Sequence, residues 1–325
     1  MRDEEAFLNR RWSAWQRLEA LVLKAEGHQG RMPGHEFLEL VKLYRQASAD
    51  LAMMTTRSSN RSVVDYLDIL VARAYGVVYR APRFDLKTLI RDAAFSAADT
   101  VRRRQVFVWF AIFVTLVGAV WAPFALTIRP DLRSRIIAPE MEPNFSYWKQ
   151  RQHQPRGLDG DAQMMVMYAT NNPRVGLITA ALGYATGGLF SSYILFQNGQ
   201  MVGALSYDMN TVGGLGFLWT SILPHGVSEL GGIFIAAAGG YLMGWTLLCP
   251  GRKSRWAALK SVNRDATVLI VTGLVMIFMA APIEGYFSFN PDVPQPVKLV
   301  FGVGALVAWS AFFMGYGKGR ARSVS

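Results

Sequence analysis

The chain has 325 residues, with 34 Lys and Arg against 23 Asp and Glu, a formal net charge of +11, 51% hydrophobic residues and only 18% charged ones. Mean hydropathy is +0.19, and in so apolar a chain the excess base sets topology and meets anionic lipid rather than nucleic acid. The lone cysteine, Cys249, excludes an internal disulfide framework and any Cys-based zinc site.

Residues 1–104 are charged throughout, whereas 105–317 are mostly apolar. Two domains are expected: a cytoplasmic helical domain over 1–104 and a transmembrane domain over 105–325. Arg2, Asp3, Glu4, Glu5, Arg10, Arg11 and Arg17 do not fit a signal peptide, so the first apolar span is expected to act as an uncleaved anchor.

The first domain reads as a small bundle. Phe7, Leu8, Trp12, Trp15, Leu18 and Val22 recur at helical spacing over 4–26, with Gly27 as a stop. A second stripe, Phe37, Leu40, Val41, Tyr44, Ala47 and Leu51, covers 34–56, and a third, Val63, Leu67, Leu70, Val71, Ala74 and Val78, covers 61–80 before Pro82. Each pairs an apolar with a charged face. Residues 85–104, ending in Arg102-Arg103-Arg104, read either as an amphipathic lead-in along the membrane surface or as a continuation of the first span. In the second helix Tyr44-Arg45 and Asp50 stand out. Arg45 and Asp50 are five apart, wrong for pairing along one helix, so they are expected to bond neighbouring helices and fix the packing.

A hydrocarbon core of about 30 Å takes roughly 20 apolar residues per helix. Spans are predicted near 105–127, 174–197, 226–249, 266–287 and 298–317, with a less apolar sixth at 199–223 that carries Asp208 and Asn210. Charge decides its status. Arg102–Arg104, the loop 250–265 with Arg252, Lys253, Arg255, Lys260 and Arg264, and the tail with Lys318, Arg320 and Arg322 all fall inside only if 199–223 crosses. The expected topology is six spans with both termini cytoplasmic and 128–165 outside. Gly183-x-x-x-Gly187 and Gly240-x-x-x-Gly244 predict close helix approach, and the glycine content suggests a homodimer.

Asn171, Asn172 and Arg174, then His225 and Glu229, then Glu284 are placed by this topology at the outer third of the bundle, with Pro224-His225-Gly226 at the turn between the third and fourth spans. Asn198-Gly199 is expected to make the tight inner turn. Ionisable groups at membrane depth mark function or pair with one another. The cluster has three readings: a charge-balanced Arg–Glu–His network, a solute or proton path, and a zinc site on His225, Glu229 and Glu284 with a carboxylate as base. The first is favoured, because Arg174 competes for the carboxylates and a second histidine is missing. No catalytic residue, metal or cofactor is therefore expected. No phosphate-binding Gly-rich loop with Lys and no Gly-x-Ser-x-Gly elbow occurs either.

Taken in order, Tyr44-Arg45 with Ser48-Ala49-Asp50-Leu51, Asn171-Asn172-x-Arg174, Phe196-Gln197-Asn198-Gly199, Leu223-Pro224-His225-Gly226-x-x-Glu229-Leu230 and Ile283-Glu284-Gly285 resemble the stage II sporulation protein M family. The resemblance implies an all-α polytopic protein of the bacterial inner membrane. It implies an assembly or anchoring subunit of an envelope complex, without catalysis of its own. The partners it suggests are peptidoglycan-degrading enzymes or a MoxR-type ATPase system with other membrane proteins. A permease-like subunit and a metal-dependent intramembrane hydrolase are the alternatives.

Overall fold

The computed structural model describes residues 2–27, 33–57, 60–79 and 86–317, and every regular element among them is helical. Lys318, Arg320, Arg322 and Pro82, used above, lie outside the described residues. Two compact units divide the chain, Met1–Asp85 and Leu86–Ser325.

The first unit holds α1 (Arg2–Gly27), α2 (Gly34–Arg57) and α3 (Arg61–Val78). Their apolar stripes meet in one core of Trp15, Leu18, Leu21, Leu40, Ala47, Met54, Leu67, Leu70 and Ala74. Each fully buried large side chain contributes about 1.5–3 kcal/mol. Asp50 is 4% exposed inside this bundle. It accepts hydrogen bonds from Arg11 Nε and Nη2 at 3.1 and 2.9 Å and from Trp15 Nε1 at 3.0 Å, which clamps α2 to α1. Arg45 is exposed, and Tyr44 packs edge-on to Tyr79 with ring centroids 6.3 Å apart.

The second unit begins with α4 (Leu86–Arg103) and α5 (Gln105–Ile128), two helices separated by a bend at Arg104. Short turns and α6 (Arg133–Ile136) and α7 (Glu142–Lys149) follow, then α8 (Gly157–Ala185), α9 (Leu189–Thr211), α10 (Leu215–Leu248), α11 (Arg255–Ile283), a π-helical turn at Glu284–Ser288, and α12 (Gln295–Gly315). Four of these are long and apolar enough to cross a membrane: α5, α10, α11 with its π turn, and α12. Large apolar side chains of α5 and α12, among them Phe113, Val120, Phe124, Val300 and Val307, face outward.

Glycine decides how these helices meet. A Cβ on Gly199 or Gly203 would run into the backbone of Thr115 or Ala119, so α9 lies directly and in parallel on α5. Likewise Gly240 abuts Ala180 and Gly244 abuts Gly183 and Gly187, which sets α10 parallel to α8 through the two small-xxx-small motifs. Gly232 meets Gly273, and Gly239 meets Ala266, which sets α11 antiparallel to α10. Gly302 against Leu223 and Trp309 bonded to Ser228 at 2.9 Å make α12 parallel to α10. Successive long helices from α5 onward therefore alternate in direction. The motif glycines Gly183, Gly187, Gly240 and Gly244 meet neighbours within the chain, whereas Gly216, Gly304 and Gly315 have open space beside them.

At one end, which we call the basic end, Arg103 and Arg104 both bond Asp265 at 2.8–3.2 Å, and Arg102 donates to the carbonyls of Phe313 and Tyr316 at 2.9 Å. The start of α5, the start of α11 and the end of α12 thus share that end. At the far end the segment between α5 and α8 folds into a cap. Ile136, Ile137, Phe145 and Trp148 bury against Ala122, Leu126, Met209 and Leu218. Asp208, 2% exposed, ties the cap down through Arg133 at 2.7 Å and Lys149 at 2.9 Å.

Two sequence expectations are corrected here. Asn198-Gly199 is not a turn but lies inside α9; the α8–α9 turn is Gly187-Gly188, at φ +64° and +99°, where L side chains are strained. Gly199 has the different task of letting α5 approach. Pro224-His225-Gly226 is not a turn either and lies within the 34-residue α10, so the preceding turn falls at Val212–Gly214, with Gly213 at φ +65°. Consequently the predicted 174–197 and 199–223 segments do not each correspond to one helix.

Candidate functional site

His225 and Glu229 are one turn apart on α10 and so share a face. Opposite them α11 gives way to the π turn. Gly285 in this turn lets α8 come close, since a Cβ there would lie 3.0 Å from Met165 N and Cα. That turn brings two side chains to the histidine: Glu284 Oε1 stands 3.8 Å from His225 Nε2, and Ser288 Oγ hydrogen-bonds Nδ1 at 2.8 Å. From α8, Asn172 donates its amide to Glu284 Oε2 at 3.2 Å. His225, Glu284 and Ser288 are 5%, 7% and 0% exposed.

These groups open onto a cavity of about 650 Å³ at the far end, with Tyr147, Trp148, His153, Arg156, Tyr168, Asn198, His225, Glu229, Glu284 and Phe289 among its walls. Arg156 bonds the Asp161 carboxylate at 3.1 Å and the Gly285 carbonyl at 3.1 Å, joining the cap to the π turn. His153 bonds Ser221 through Nε2 at 2.8 Å, and its Nδ1 has no partner among the described residues. Burial, helped by the positive charges of Lys298 and Arg156, pushes this imidazole down to about 4. In the cap, the Asp208 and Glu142 carboxylates raise the Arg133 guanidinium further above its ordinary range.

The predicted set is thus partly assembled. Asn172, His225, Glu229 and Glu284 converge; Asn171 is exposed, and among the described residues its side chain bonds Asn172, at 3.2 Å. Arg174 is exposed and forms no hydrogen bond or ion pair among the described residues, so the Arg–Glu–His network is corrected: its arginine is elsewhere. Asn198, expected at an inner turn, lines the cavity instead. Tyr168, Ser288, His153, Arg156 and Phe289 were not legible as members of the site. Two carried a local signal, since Tyr168 precedes Asn172 by four and Ser288 follows Glu284 by four. The other three come from the cap and from beyond the π turn, where no periodicity points at the cluster.

Toward the basic end the glycine contacts are close. A Cβ on Gly232 would lie 2.6 Å from the Gly273 carbonyl, and one on Gly244 would lie 2.8 Å from that of Gly183. Ala236, Ala237, Ala238 and Ala266 are fully buried between them.

An all-helical chain with several bilayer-length apolar helices, an apolar outer surface and ionisable groups held inside defines a polytopic membrane protein. The family model described as Stage II sporulation protein M matches residues 106–289, more than half of the chain, and the protein belongs to that family. A second model, described as a domain of unknown function (DUF8413), matches residues 5–80, the three-helix unit. No curated protein matches the chain, and no solved structure does.

Proposed function

We propose that this protein is an assembly or anchoring subunit of a bacterial envelope complex. In this reading it crosses the inner membrane six times, with both termini in the cytoplasm, and has no catalysis of its own. The observation that carries the reading is the contrast between a cavity at the far end and the glycine-to-backbone packing beneath it. A permease needs access from both sides in turn, whereas helices locked backbone to backbone favour a rigid platform. The alternating directions of α5 and α8–α12 support six crossings, and the basic clusters at Arg102–Arg104 and 252–264 support a cytoplasmic basic end. Membership of the family suggests partners among peptidoglycan-degrading enzymes or a MoxR-type ATPase system.

Purification from native membranes in mild detergent with mass spectrometry should recover membrane or envelope proteins in near-stoichiometric amounts. A chain recovered alone that carries a solute or protons across proteoliposomes would replace this reading with the permease. Topology has its own test. With Cys249, which is exposed, replaced by Ser, impermeant thiol labelling of intact cells should mark Gln150→Cys and spare Trp256→Cys. The reverse pattern would invert the orientation.

A further inference from the structure

Buried acids elsewhere in the chain have their cations. Asp50 has Arg11, Asp208 has Arg133 and Lys149, and Asp265 has Arg103 and Arg104. The cavity departs from this rule. Among the described residues no Lys or Arg forms an ion pair with Glu229 or Glu284, and Arg156 on the same wall bonds Asp161 and Gly285 instead. Glu284 has the Asn172 amide and the histidine; among the described residues no hydrogen bond reaches the Glu229 carboxylate or His225 Nε2. Two carboxylates this close in low dielectric repel each other, and a proton shared between them or a bound cation relieves that repulsion.

One oxygen of Glu229, one of Glu284 and one ring nitrogen of His225 all lie within 4.8 Å of one another. Donor atoms around an ion with bonds of 2.0–2.2 Å stand roughly 3.4 Å apart in a tetrahedron, so side-chain shifts of about 1 Å close the set. The imidazole is held as metal-binding histidines are, one nitrogen fixed by an outer partner, Ser288, and the other turned to the centre. Asn172 fixes the Glu284 carboxylate in the same way. A second buried imidazole, His153, 7% exposed and with an unpartnered Nδ1, lines the same cavity.

We propose that His225, Glu229 and Glu284 bind one divalent first-row transition-metal ion, with an open coordination position facing the cavity. One imidazole and two carboxylates suit Zn²⁺, Mn²⁺ or Fe²⁺ better than the all-oxygen cages of Ca²⁺. Three protein ligands leave a position for water or for an oxygen of a ligand entering the cavity. The objection raised by the sequence, that Arg174 would neutralise the carboxylates, falls because Arg174 is exposed and outside the cluster. The ion does not depend on the anchoring role: metal content reports one, partner recovery the other.

The test uses the full chain in mild detergent, purified without a histidine tag, stripped with a chelator and titrated with ZnCl₂ and MnCl₂. CoCl₂ serves as a spectroscopic probe. One equivalent per chain should bind and raise the thermal midpoint, and Co²⁺ should give visible bands of a low-coordinate nitrogen–oxygen site. Glu229→Gln and Glu284→Gln, near-isosteric, should each weaken binding at least tenfold, and Asn172→Ala about tenfold to a hundredfold. Loss of Co²⁺ bands in these variants, with an unchanged elution profile, supports the site. A stripped protein whose midpoint no divalent ion moves overturns it, as does undiminished binding in both glutamine variants. If neither glutamine variant elutes as folded protein, Asn172→Ala and Ser288→Ala decide, because they keep all three ligands; unchanged affinity in both overturns the proposal.

Discussion

The two ends of the membrane unit solve the same problem in opposite ways. At the basic end, Asp265 lies between Arg103 and Arg104, and the helices above it touch through glycine and alanine. At the far end, the helices part around a cavity that holds two carboxylates and two imidazoles, with a folded cap over them. Close backbone approach leaves no room for a side chain at the glycine contacts of the first end. The second holds a cavity walled by the π turn and by the aromatic groups Trp148, Tyr168 and Phe289.

Breaking the packed half should have the largest effect. Gly199→Leu drives a side chain into the Thr115 backbone, which cannot shift without parting α5 from α9. Overpacking costs typically 1–3 kcal/mol and more against backbone; we expect this variant to lose monodisperse elution and cooperative melting in detergent. A Gly199→Leu protein that elutes and melts like the parent would remove the packing argument.

Acid should strain the far end through His153. Its folded value lies near 4, below the ordinary 6.5, so the unfolded chain binds the proton first. Stability is then complete above about pH 6.5 and falls as pH drops toward 4, by at most about 3 kcal/mol. His153→Gln should flatten this part of the pH–melting curve, read by thermal denaturation from pH 7 to pH 4.

The contrast between paired and unpaired acids gives a sharper, smaller test. Asp208→Ala leaves Arg133 and Lys149 without their shared carboxylate. Both cations are partly exposed, so the cost should be about 2 kcal/mol, less than the 3–5 kcal/mol of a fully buried pair. In chelator-stripped protein Glu229→Gln, which removes an uncompensated charge, should not lower the melting temperature. Equal destabilisation by both variants would erase the distinction. The smallest effect is expected of Arg174→Ala, within about 0.5 kcal/mol, as for other exposed side chains. A large loss there would restore the network that the sequence suggested.

Legibility in the sequence followed the range of the interactions. The three helices of the first unit match their apolar stripes to within a few residues, because 3.6-residue periodicity is a local property. The pairing partners of Asp50, thirty-five and thirty-nine residues away, were not readable. In the membrane unit hydropathy found the strongly apolar helices, but it set the two turns around α9 about eleven residues too late. An apolar run has no internal mark of its ends, and Asn-Gly is the same dipeptide in a turn and in a close helix contact.

What the sequence alone determined is the all-α class, the charged helical bundle ahead of an apolar domain, the family, and a His-x-x-x-Glu pair on one helix face. The family rests on the resemblance of several motifs taken in order along the chain, and the others on composition, periodicity or residue spacing within one element. Only the tertiary structure decided which groups meet that pair: Glu284 and Ser288 entered through a π turn, Asn172 from α8, and His153 and Arg156 from the cap, while Arg174 stayed outside. Such meetings depend on how far neighbouring helices slide and rotate. Here that is set by where glycine lets one backbone touch another, and contacts between elements of this kind leave no periodic trace in either one.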